Sequence, residues 1–349
     1  MEAMGKALMQ ELDWKMREAK GPVSTVYFGG GTPSLFDLSQ LELLVSRCLA
    51  AGTHPSEITL EANPEDITDE RLKAWLAMGI TRLSIGVQTF DDDRLRWMNR
   101  AHSGQQAIDA ILSAHALGFQ HLSADLIYGL PDRKTPFSED LEKACDLPVD
   151  HLSAYILTVE DQTVLGRNVQ KGLESVAPES LVEAEYALLC SRAKEAGFDH
   201  YEVSNFARSG GHAQHNQHYW TGLPFLGIGP GAHGFDGQQR LANVSNNPRY
   251  IAALEKAQSL NELPVERDVL SANDRYNEGL MTGLRTAKGI DVEALENEYG
   301  HHPQTEDPDF WRQCIADRTL EPLGGSRYRI RAEKWLVADR IASAFFVVE

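Results

Sequence analysis

The sequence has 349 residues, 42% of them hydrophobic, which is enough apolar material for one large domain and a smaller one. Its 33 basic and 51 acidic side chains give a formal charge of −18, which disfavours nucleic acid and anionic membranes as partners. We find no apolar run near the ~20 residues of a membrane span, no signal peptide pattern and no CxxC pair among the four cysteines. These features predict a cytoplasmic protein without disulfide bonds.

Strand-like and helix-like patterns alternate from the start of the chain. A helix through about residue 19 is followed, in chain order, by a strand at 23–28, a helix at 39–51, a strand at 57–62, a helix at 69–78, a strand at 82–87, helices at 91–98 and 104–117, a strand at 121–128, a helix at 137–145, a strand at 151–159, a helix at 178–196 and a strand at 201–203. Strands that alternate with helices indicate right-handed crossovers and a parallel α/β sheet.

The pattern changes beyond the last of these strands. Residues 209–237 are rich in glycine, histidine and aromatic side chains and have no clear periodicity. After residue 248 the chain is predicted to be mainly helical, and it closes with a short strand and a helix that are typical of a small winged-helix-like module. The sequence therefore predicts an α/β core at 1–208, a connecting segment at 209–262 and a C-terminal domain at 263–349.

Polar or glycine-rich loops follow four of the predicted strands: GGGTP at 29–33, EANP at 61–64, GVQ at 86–88 and YGLP at 128–131. In parallel α/β architectures, ligands bind outside the carboxyl ends of the strands. We therefore expect these four loops to share one rim.

The side chains on this rim have the chemistry of a ligand site. Glycines 29–31 free backbone N–H groups for an anionic or zwitterionic ligand head. Glu61 closes a strand, where a carboxylate suits a ribose diol. Arg100, shortly after Gln88, can meet a carboxylate bidentately, and Asp125 lies in an apolar strand where it needs a buried partner. Each residue alone is more often structural, but so many on one rim favour a binding site.

At this point the motifs resemble a known family. GGGTP, EANP, GVQ with the following arginine, and DLIYGLP are similar in order and spacing to the radical S-adenosylmethionine (radical SAM) proteins of the oxygen-independent coproporphyrinogen III oxidase superfamily. The resemblance implies a partial parallel (β/α)6-type barrel with a HemN-type C-terminal domain. It also implies that S-adenosylmethionine is bound by a defined set of residues: Gly30, Gly31, Thr32, Glu61, Gln88, Arg100 and Asp125.

Later motifs indicate a branch of this superfamily. YEVSNFA at 201–207, HNQHYW at 215–220, FLGIGPGAHGF at 225–235 and NEGLMTGLRTAKGID at 277–291 resemble the HemW family of heme chaperones. The resemblance implies a protein that binds heme and transfers it to acceptor proteins, among them membrane-bound respiratory proteins. The alternative is oxidative decarboxylation of coproporphyrinogen III in porphyrin biosynthesis. A sugar-phosphate barrel enzyme is disfavoured because the rim has no obvious acid/base pair.

The family's cluster-binding motif is absent from this sequence. Radical SAM proteins hold a [4Fe-4S] cluster with CxxxCxxC, after a first strand that this chain also lacks, and Ala213 stands where related chaperones often have cysteine. The four cysteines are far apart: Cys48, Cys145, Cys190 and Cys314. A truncated chain and a natural loss both remain open. We predict no catalytic residue and no turnover enzyme from the chain as it stands, and dimerisation through the exposed edge of strand 23–28.

The histidine-rich segment supplies candidates for heme binding. His212, His215 and His218 recur at every third residue, but neighbouring glycines disfavour the long helix that an HxxHxxH metal site would need, so we predict no metal ligands. The heme candidates are His215, Tyr219 and Trp220, with the imidazole as axial ligand. The alternative is an aromatic lid over the barrel mouth, with His215 bonded to backbone.

Overall fold

The computed structural model describes residues 2–19, 21–50, 54–131 and 134–348. Its strands are β1 Thr25–Phe28, β2 Glu57–Ala62, β3 Arg82–Gln88, β4 His121–Tyr128, β5 His151–Ile156, β6 Asp199–Glu202, β7 Asn205–Ala207, β8 His233–Phe235, β9 Gln239–Asn243, β10 Val265–Val269, β11 Ile290–Asp291, β12 Leu320–Gly324 and β13 Arg327–Ile330.

The helices are α1 Glu2–Glu18, α2 Leu38–Ala50, α3 Asp69–Met78, α4 Asp92–Trp97, α5 Gly104–Leu117, α6 Phe137–Asp146, α7 Val164–Gln170, α8 Glu179–Glu195, α9 Gln214–Trp220, α10 Asn247–Lys256, α11 Ala272–Leu284, α12 Val292–Tyr299, α13 Pro303–Glu306, α14 Pro308–Ala316 and α15 Ala338–Ser343. In the described part of the chain, none of the helices combines the length and hydropathy that a membrane span requires.

A seven-stranded sheet with the order β1-β2-β3-β4-β5-β7-β6 forms a curled half-barrel. Strands β1 to β5 pair in parallel, whereas β7 is antiparallel to β5 and β6 is antiparallel to β7. The predicted parallel α/β fold is therefore confirmed. Among the described strands β1 pairs only with β2, so it lies at the edge of the sheet as expected, and dimerisation through it stays a prediction.

The two faces of the sheet differ in chemistry because successive side chains of a strand point to opposite faces. In β4, Leu122, Ala124 and Leu126 are fully buried in the main core cluster, between the sheet and its helices. Ser123 and Asp125 alternate with them and line a cavity on the inner face. The half-barrel is thus apolar outside, where helices cover it, and polar inside.

Most predicted elements of the α/β core are present, with differences at short or irregular strands. Strand β5 ends at residue 156 rather than 159, and the predicted strand at 201–203 is observed as Asp199–Glu202. Strand β7 was not predicted. It has three residues and is defined by pairing with β5 and β6, a contact that local sequence does not encode.

The chain after residue 208 contains more strand than predicted. β8, β9 and β10 form an antiparallel sheet, and β11, β13 and β12 form a second one beside helices α11 to α15. Helices still predominate after residue 248, as predicted, but the strands β10, β11 and β12 were not predicted. The residues of Val265–Val269 are mostly exposed, so their burial pattern does not indicate a strand. They form one because they pair with β9, which precedes residue 248.

Helix α1 is fastened to the later part of the chain by buried charges. Glu11 is fully buried and accepts hydrogen bonds from the amide of Gly229 at 2.8 Å and from Asn243 Nδ2 at 2.7 Å. Tyr250 OH donates to the same carboxylate, and Lys15 Nζ lies 2.7 Å from it. Because the carboxylate is fully partnered, burial is tolerated, and the first helix is fixed against β9 and α10.

A second buried pair joins α9 to the half-barrel. Glu57 and Arg82, the first residues of β2 and β3, are 4% and 3% exposed, and Arg82 Nε donates to Glu57 Oε2 at 3.1 Å. The amides of Gln214 and His215 donate to the same carboxylate at 3.0 and 2.9 Å. Arg82 Nη2 also donates to the Gly211 carbonyl at 2.8 Å. The pair therefore holds the segment that leads into α9.

We expect Arg82→Met to destabilise the fold by about 3–5 kcal/mol, because it leaves the Glu57 carboxylate buried without its cation. Urea unfolding measures the loss. Arg192→Met, which removes an exposed pair with Glu142, should cost less than about 1 kcal/mol. Equal effects of the two substitutions would contradict a structural role for the buried pair.

Candidate functional site

A cavity of about 360 Å³ lies on the inner face of the half-barrel. Its walls come from β1 to β5, from the loops after β1, β2 and β3, and from the start of α9. Besides the predicted site residues, its polar lining consists of Tyr27, Ser34, Thr59, Asn63, Arg82, Ser84, Ser123, His151, Ser153, Tyr155 and Asn216. A cavity of this size is within the range that small-molecule ligands occupy.

The three glycines after β1 have different roles. A Cβ atom on Gly29 would lie 2.4 Å from the Tyr27 ring and 2.6 Å from Glu61 Oε1, so this glycine is required by the protein's own packing. Gly30 has a φ of 77°, which favours glycine. A Cβ on Gly30 or Gly31 would meet nothing within 4 Å. Only the last two glycines therefore leave backbone open towards a ligand.

Glu61 is held in place before any ligand arrives. Its Oε1 accepts a hydrogen bond from Tyr27 OH at 2.7 Å, and its Oε2 accepts one from the amide of Gly30 at 3.1 Å. Burial, and then the charge of Glu61, raise the pKa of Tyr27, so its hydroxyl remains a donor. Because a carboxylate oxygen accepts more than one hydrogen bond, Glu61 keeps acceptor capacity for hydroxyl groups.

Asp125 is surrounded by hydroxyl groups rather than by a cation. Ser84 Oγ donates to both of its oxygens, at 3.0 and 2.9 Å, and Ser123 Oγ donates at 3.1 Å. Burial raises the pKa of Asp125 to about 7, against the serine hydrogen bonds that lower it. The buried partners expected for Asp125 are thus present, but they are neutral serine hydroxyls rather than a cation. With a pKa of about 7, Asp125 can both accept and donate a proton near neutral pH.

Gln88 and Arg100 complete the rim. Gln88 ends β3 with a φ of 66°, an uncommon conformation for a residue other than glycine. A Cβ on Gly86 would lie 2.9 Å from Gln88 Nε2, so that glycine leaves space for the amide. Arg100 follows α4 and lines the same cavity. The rim therefore presents a side-chain amide and a guanidinium beside two carboxyl groups.

The structure brings the predicted rim residues together. One cavity is lined by Gly31, Thr32, Glu61, Gln88, Arg100 and Asp125. Gly30 adjoins it through its hydrogen bond to Glu61. The exposed backbone at Gly31, two carboxyl groups and a guanidinium fit the amino acid and ribose ends of S-adenosylmethionine. The loop at 128–131 contributes no lining residue; the Gly129 amide donates instead to Glu185 at 2.7 Å.

The heme candidates lie towards the opposite end of the strands. His215 Nδ1 is 2.8 Å from Thr25 Oγ1, at the start of β1, and Nε2 is 2.9 Å from Tyr219 OH. Its ring stacks on Tyr27 with centroids 5.0 Å apart. Helix α9 is thus not a lid over the loops after β1 to β3, and the imidazole is bonded to side-chain hydroxyls rather than to backbone. Trp220 lies under the guanidinium of Arg285.

Burial lowers the pKa of His215 to about 4, so the ring is neutral at physiological pH. Of the other histidines in this segment, His212 packs against Tyr201, with centroids 4.6 Å apart, and His218 Nδ1 lies 3.4 Å from Thr25 Oγ1. Among the described residues, no three histidine, cysteine or acidic side chains are grouped as metal ligands.

The cysteines of this sequence do not fit a [4Fe-4S] cluster. Cys48, Cys145, Cys190 and Cys314 lie in α2, α6, α8 and α14, and none lines the cavity. Burial raises the pKa of each thiol, whereas cluster ligation requires thiolates. No chemical step is therefore assigned to a cluster held by these residues.

The sequence reasoning missed the serines of the inner face. Ser84, Ser123 and Ser153 occupy neighbouring strands and line the cavity around Asp125. A signal was present, because the four residues HLSA occur at the start of both β4 and β5, at 121–124 and 151–154. Repeated polar residues at alternate positions of buried strands indicate a polar inner face.

Comparisons with known proteins agree with these features. The profile of the radical SAM superfamily matches residues 7–163. The heme chaperone HemW of Bacillus subtilis (strain 168) is 34% identical over 302 residues, covering 84% of this chain and 78% of the relative. The heme chaperone HemW of Mycobacterium tuberculosis (strain ATCC 25618 / H37Rv) is 37% identical over 297 residues, covering 83% and 74%.

A solved structure shows the same fold. The radical SAM enzyme coproporphyrinogen III oxidase (HemN) from Escherichia coli superposes with a TM-score of 0.82 at 21% identity, covering 99% of this chain and 83% of that chain. With the motifs, the half-barrel and the identity to curated relatives combined, the chain belongs to the HemW family of the radical SAM superfamily.

Proposed function

We propose that this protein is a cytoplasmic heme chaperone that binds heme and passes it to acceptor proteins, with S-adenosylmethionine held at the rim of the half-barrel. The observation that supports the proposal is that one cavity is lined both by the rim loops and by the HNQHYW segment of α9. Gly31, Glu61 and Asp125 line it near the carboxyl ends of the strands, and Asn216 of α9 lines it near their amino ends. Relatives of this chain are named heme chaperones.

The proposed nucleotide site divides its tasks among the rim residues. The open backbone at Gly30 and Gly31, with Thr32, receives the amino acid end of S-adenosylmethionine, and Arg100 faces its carboxylate. Glu61, already oriented by Tyr27, accepts hydrogen bonds from the ribose. In radical SAM proteins the cluster iron also chelates the nucleotide. Without that chelation we expect affinity to be lower by several kcal/mol, on the order of a hundredfold or more.

In the proposed heme site, α9 presents His215 as an axial ligand. Its neutral ring suits iron coordination, but Nε2 is bonded to Tyr219, so a heme iron has to displace that hydroxyl. Tyr219 and Trp220 are the aromatic surface beside it. The proposed acceptors are heme-dependent proteins, with membrane-bound respiratory proteins as candidates.

We expect Asp125→Asn to stabilise the unliganded protein at pH 8 while weakening S-adenosylmethionine binding. The folded-state pKa of about 7 lies above the unfolded value of 3.8, so the folded state binds the extra proton and loses stability as pH rises through this interval. Removing the carboxylate should restore roughly 1–4 kcal/mol at pH 8 and almost nothing at pH 4. Urea unfolding at both pH values and calorimetry with S-adenosylmethionine measure the two effects.

Asp109→Asn is the matched control, because Asp109 is exposed on α5. It should change neither the pH dependence of stability nor nucleotide binding. A stability gain in Asp125→Asn without any loss of S-adenosylmethionine affinity would contradict the assignment of Asp125 to the nucleotide site.

We expect hemin to bind this chain with a saturable, red-shifted Soret band near one heme per chain. His215→Ala should remove the axial-ligand signature, whereas Tyr219→Phe, which frees Nε2, should keep or raise the affinity. Because protonation of His215 competes with iron only near its pKa of about 4, affinity should be constant from pH 8 to about pH 5. Absorption titrations measure all three.

His115→Ala is the control, since His115 is exposed on α5, far in sequence from α9. Hemin adsorption that does not saturate, or a His215→Ala spectrum identical to wild type, would remove the imidazole from the site. Transfer is tested by mixing the hemin-loaded protein with apomyoglobin. Conversion of coproporphyrinogen to protoporphyrinogen by the chain would instead identify it as an oxidase.

A further inference from the structure

Two buried hydrogen-bond donors at the amino end of the cavity have no partner within the described residues. They are Arg82 Nη1 and Thr59 Oγ1, on side chains that are 3% and 1% exposed and that line the cavity. Thr59 and Arg82 are register partners on the neighbouring strands β2 and β3. The two unpaired groups therefore belong to one place on the inner face.

The rest of the Arg82 guanidinium is occupied. Nε donates to Glu57 and Nη2 donates to the Gly211 carbonyl. Among the described residues, Nη1 is the guanidinium nitrogen without a hydrogen-bond acceptor. The cation is already neutralised by Glu57, and that carboxylate also accepts the amides of the first two residues of α9. A buried donor without an acceptor destabilises the folded state, unless a water or ligand atom accepts its hydrogen bond.

This place is separate from the rim. Thr59 and Arg82 precede Glu61 and Ser84 by two residues in their strands, which corresponds to about 7 Å along the strand direction. Ser84 and Ser123, whose hydroxyls donate to Asp125, lie at the rim level in register with Glu61. The cavity thus has a rim level for the nucleotide and an inner level with its own donors.

We propose that the inner level is a second ligand subsite, in which Arg82 Nη1 and Thr59 Oγ1 bind the two oxygens of a carboxylate group. A cation whose charge is compensated by Glu57 suits a monoanion. A dianionic phosphate is disfavoured more than a monoanion, because the Glu61 carboxylate lines the same cavity and repels two charges more strongly than one. The carboxylate is either an arm of the bound heme or a free monocarboxylate.

The test uses the full chain with alanine methyl groups labelled for NMR, because Ala213 lines the cavity near Arg82. Sodium propionate should shift the Ala213 methyl signal saturably, and propionamide should not. Thr59→Val keeps the shape of the strand residue and removes only the unpartnered hydroxyl, so the fold should be retained. It should weaken propionate binding about tenfold, the effect of one donor to a charged acceptor.

Thr282→Val is the control, since Thr282 Oγ1 donates to a carbonyl within α11, and it should leave propionate binding unchanged. The proposal would be overturned if propionate caused no saturable shift, or if Thr59→Val bound propionate as tightly as the wild type. Water would then be the partner of the two buried donors. Tighter binding of inorganic phosphate would overturn the carboxylate class. Loss of propionate binding in the presence of S-adenosylmethionine would place both ligands in one site and also overturn it.

The source of the carboxylate is resolved by comparing hemin with its dimethyl ester, and this arm rests on the proposed heme function. If Thr59→Val weakens hemin but not the ester, the carboxylate belongs to heme. If Thr59→Val weakens propionate alone, it belongs to a free ligand. Either result supports the subsite, whereas a protein that binds propionate at this level but no hemin would contradict only the proposed chaperone function.

Discussion

The buried pair between Arg82 and Glu57 is the interaction on which the interior of this protein depends. It lies at the start of β2 and β3 and connects the half-barrel to the first residues of α9. Desolvating two charges is costly, and a pair of apolar residues could fill the same volume. The pair also makes hydrogen bonds outside itself. Its carboxylate accepts two backbone amides, and its guanidinium donates to the Gly211 carbonyl. They fix where the HNQHYW segment meets the sheet.

The sheet has two faces of different chemistry. Outside, the helices bury fully apolar positions such as Leu122 and Leu126; inside, hydroxyls and charges of β2 to β5 surround open space. Parallel strands are usually apolar on both faces because both are covered. Here the described residues leave a cavity against the inner face, and several of its polar groups bond one another, as Ser84 and Ser123 do with Asp125. Stability comes from the outer core, and the inner face is left for ligands.

The sequence predicted the α/β core well, and three of the four loops expected at the rim line the cavity, because these features are encoded locally. Glycines after a strand, polar loops at strand ends and long periodic helices need no knowledge of distant contacts. What was missed depends on distant partners. Strand β7 exists through its pairing with β5 and β6, and β10 exists through β9. Gly29 looked like ligand-binding backbone, yet its missing side chain makes room for Tyr27 and Glu61. The position of α9 depends on Glu57, whose hydrogen bonds to α9 join residues more than 150 positions apart in sequence.

Asp125 and His215 show how burial changes the chemistry that residue types suggest. The pKa of an aspartate is normally far below 7, but desolvation raises that of Asp125 to about 7, and burial lowers that of His215 to about 4. Both shifts favour the neutral form. A neutral carboxyl group can donate to a ligand, and a neutral imidazole can coordinate iron without first losing a proton. The shifts also destabilise the charged forms without a ligand. Perturbed pKa values cluster at functional sites, and here both groups lie on one side of a single sheet, beside one cavity.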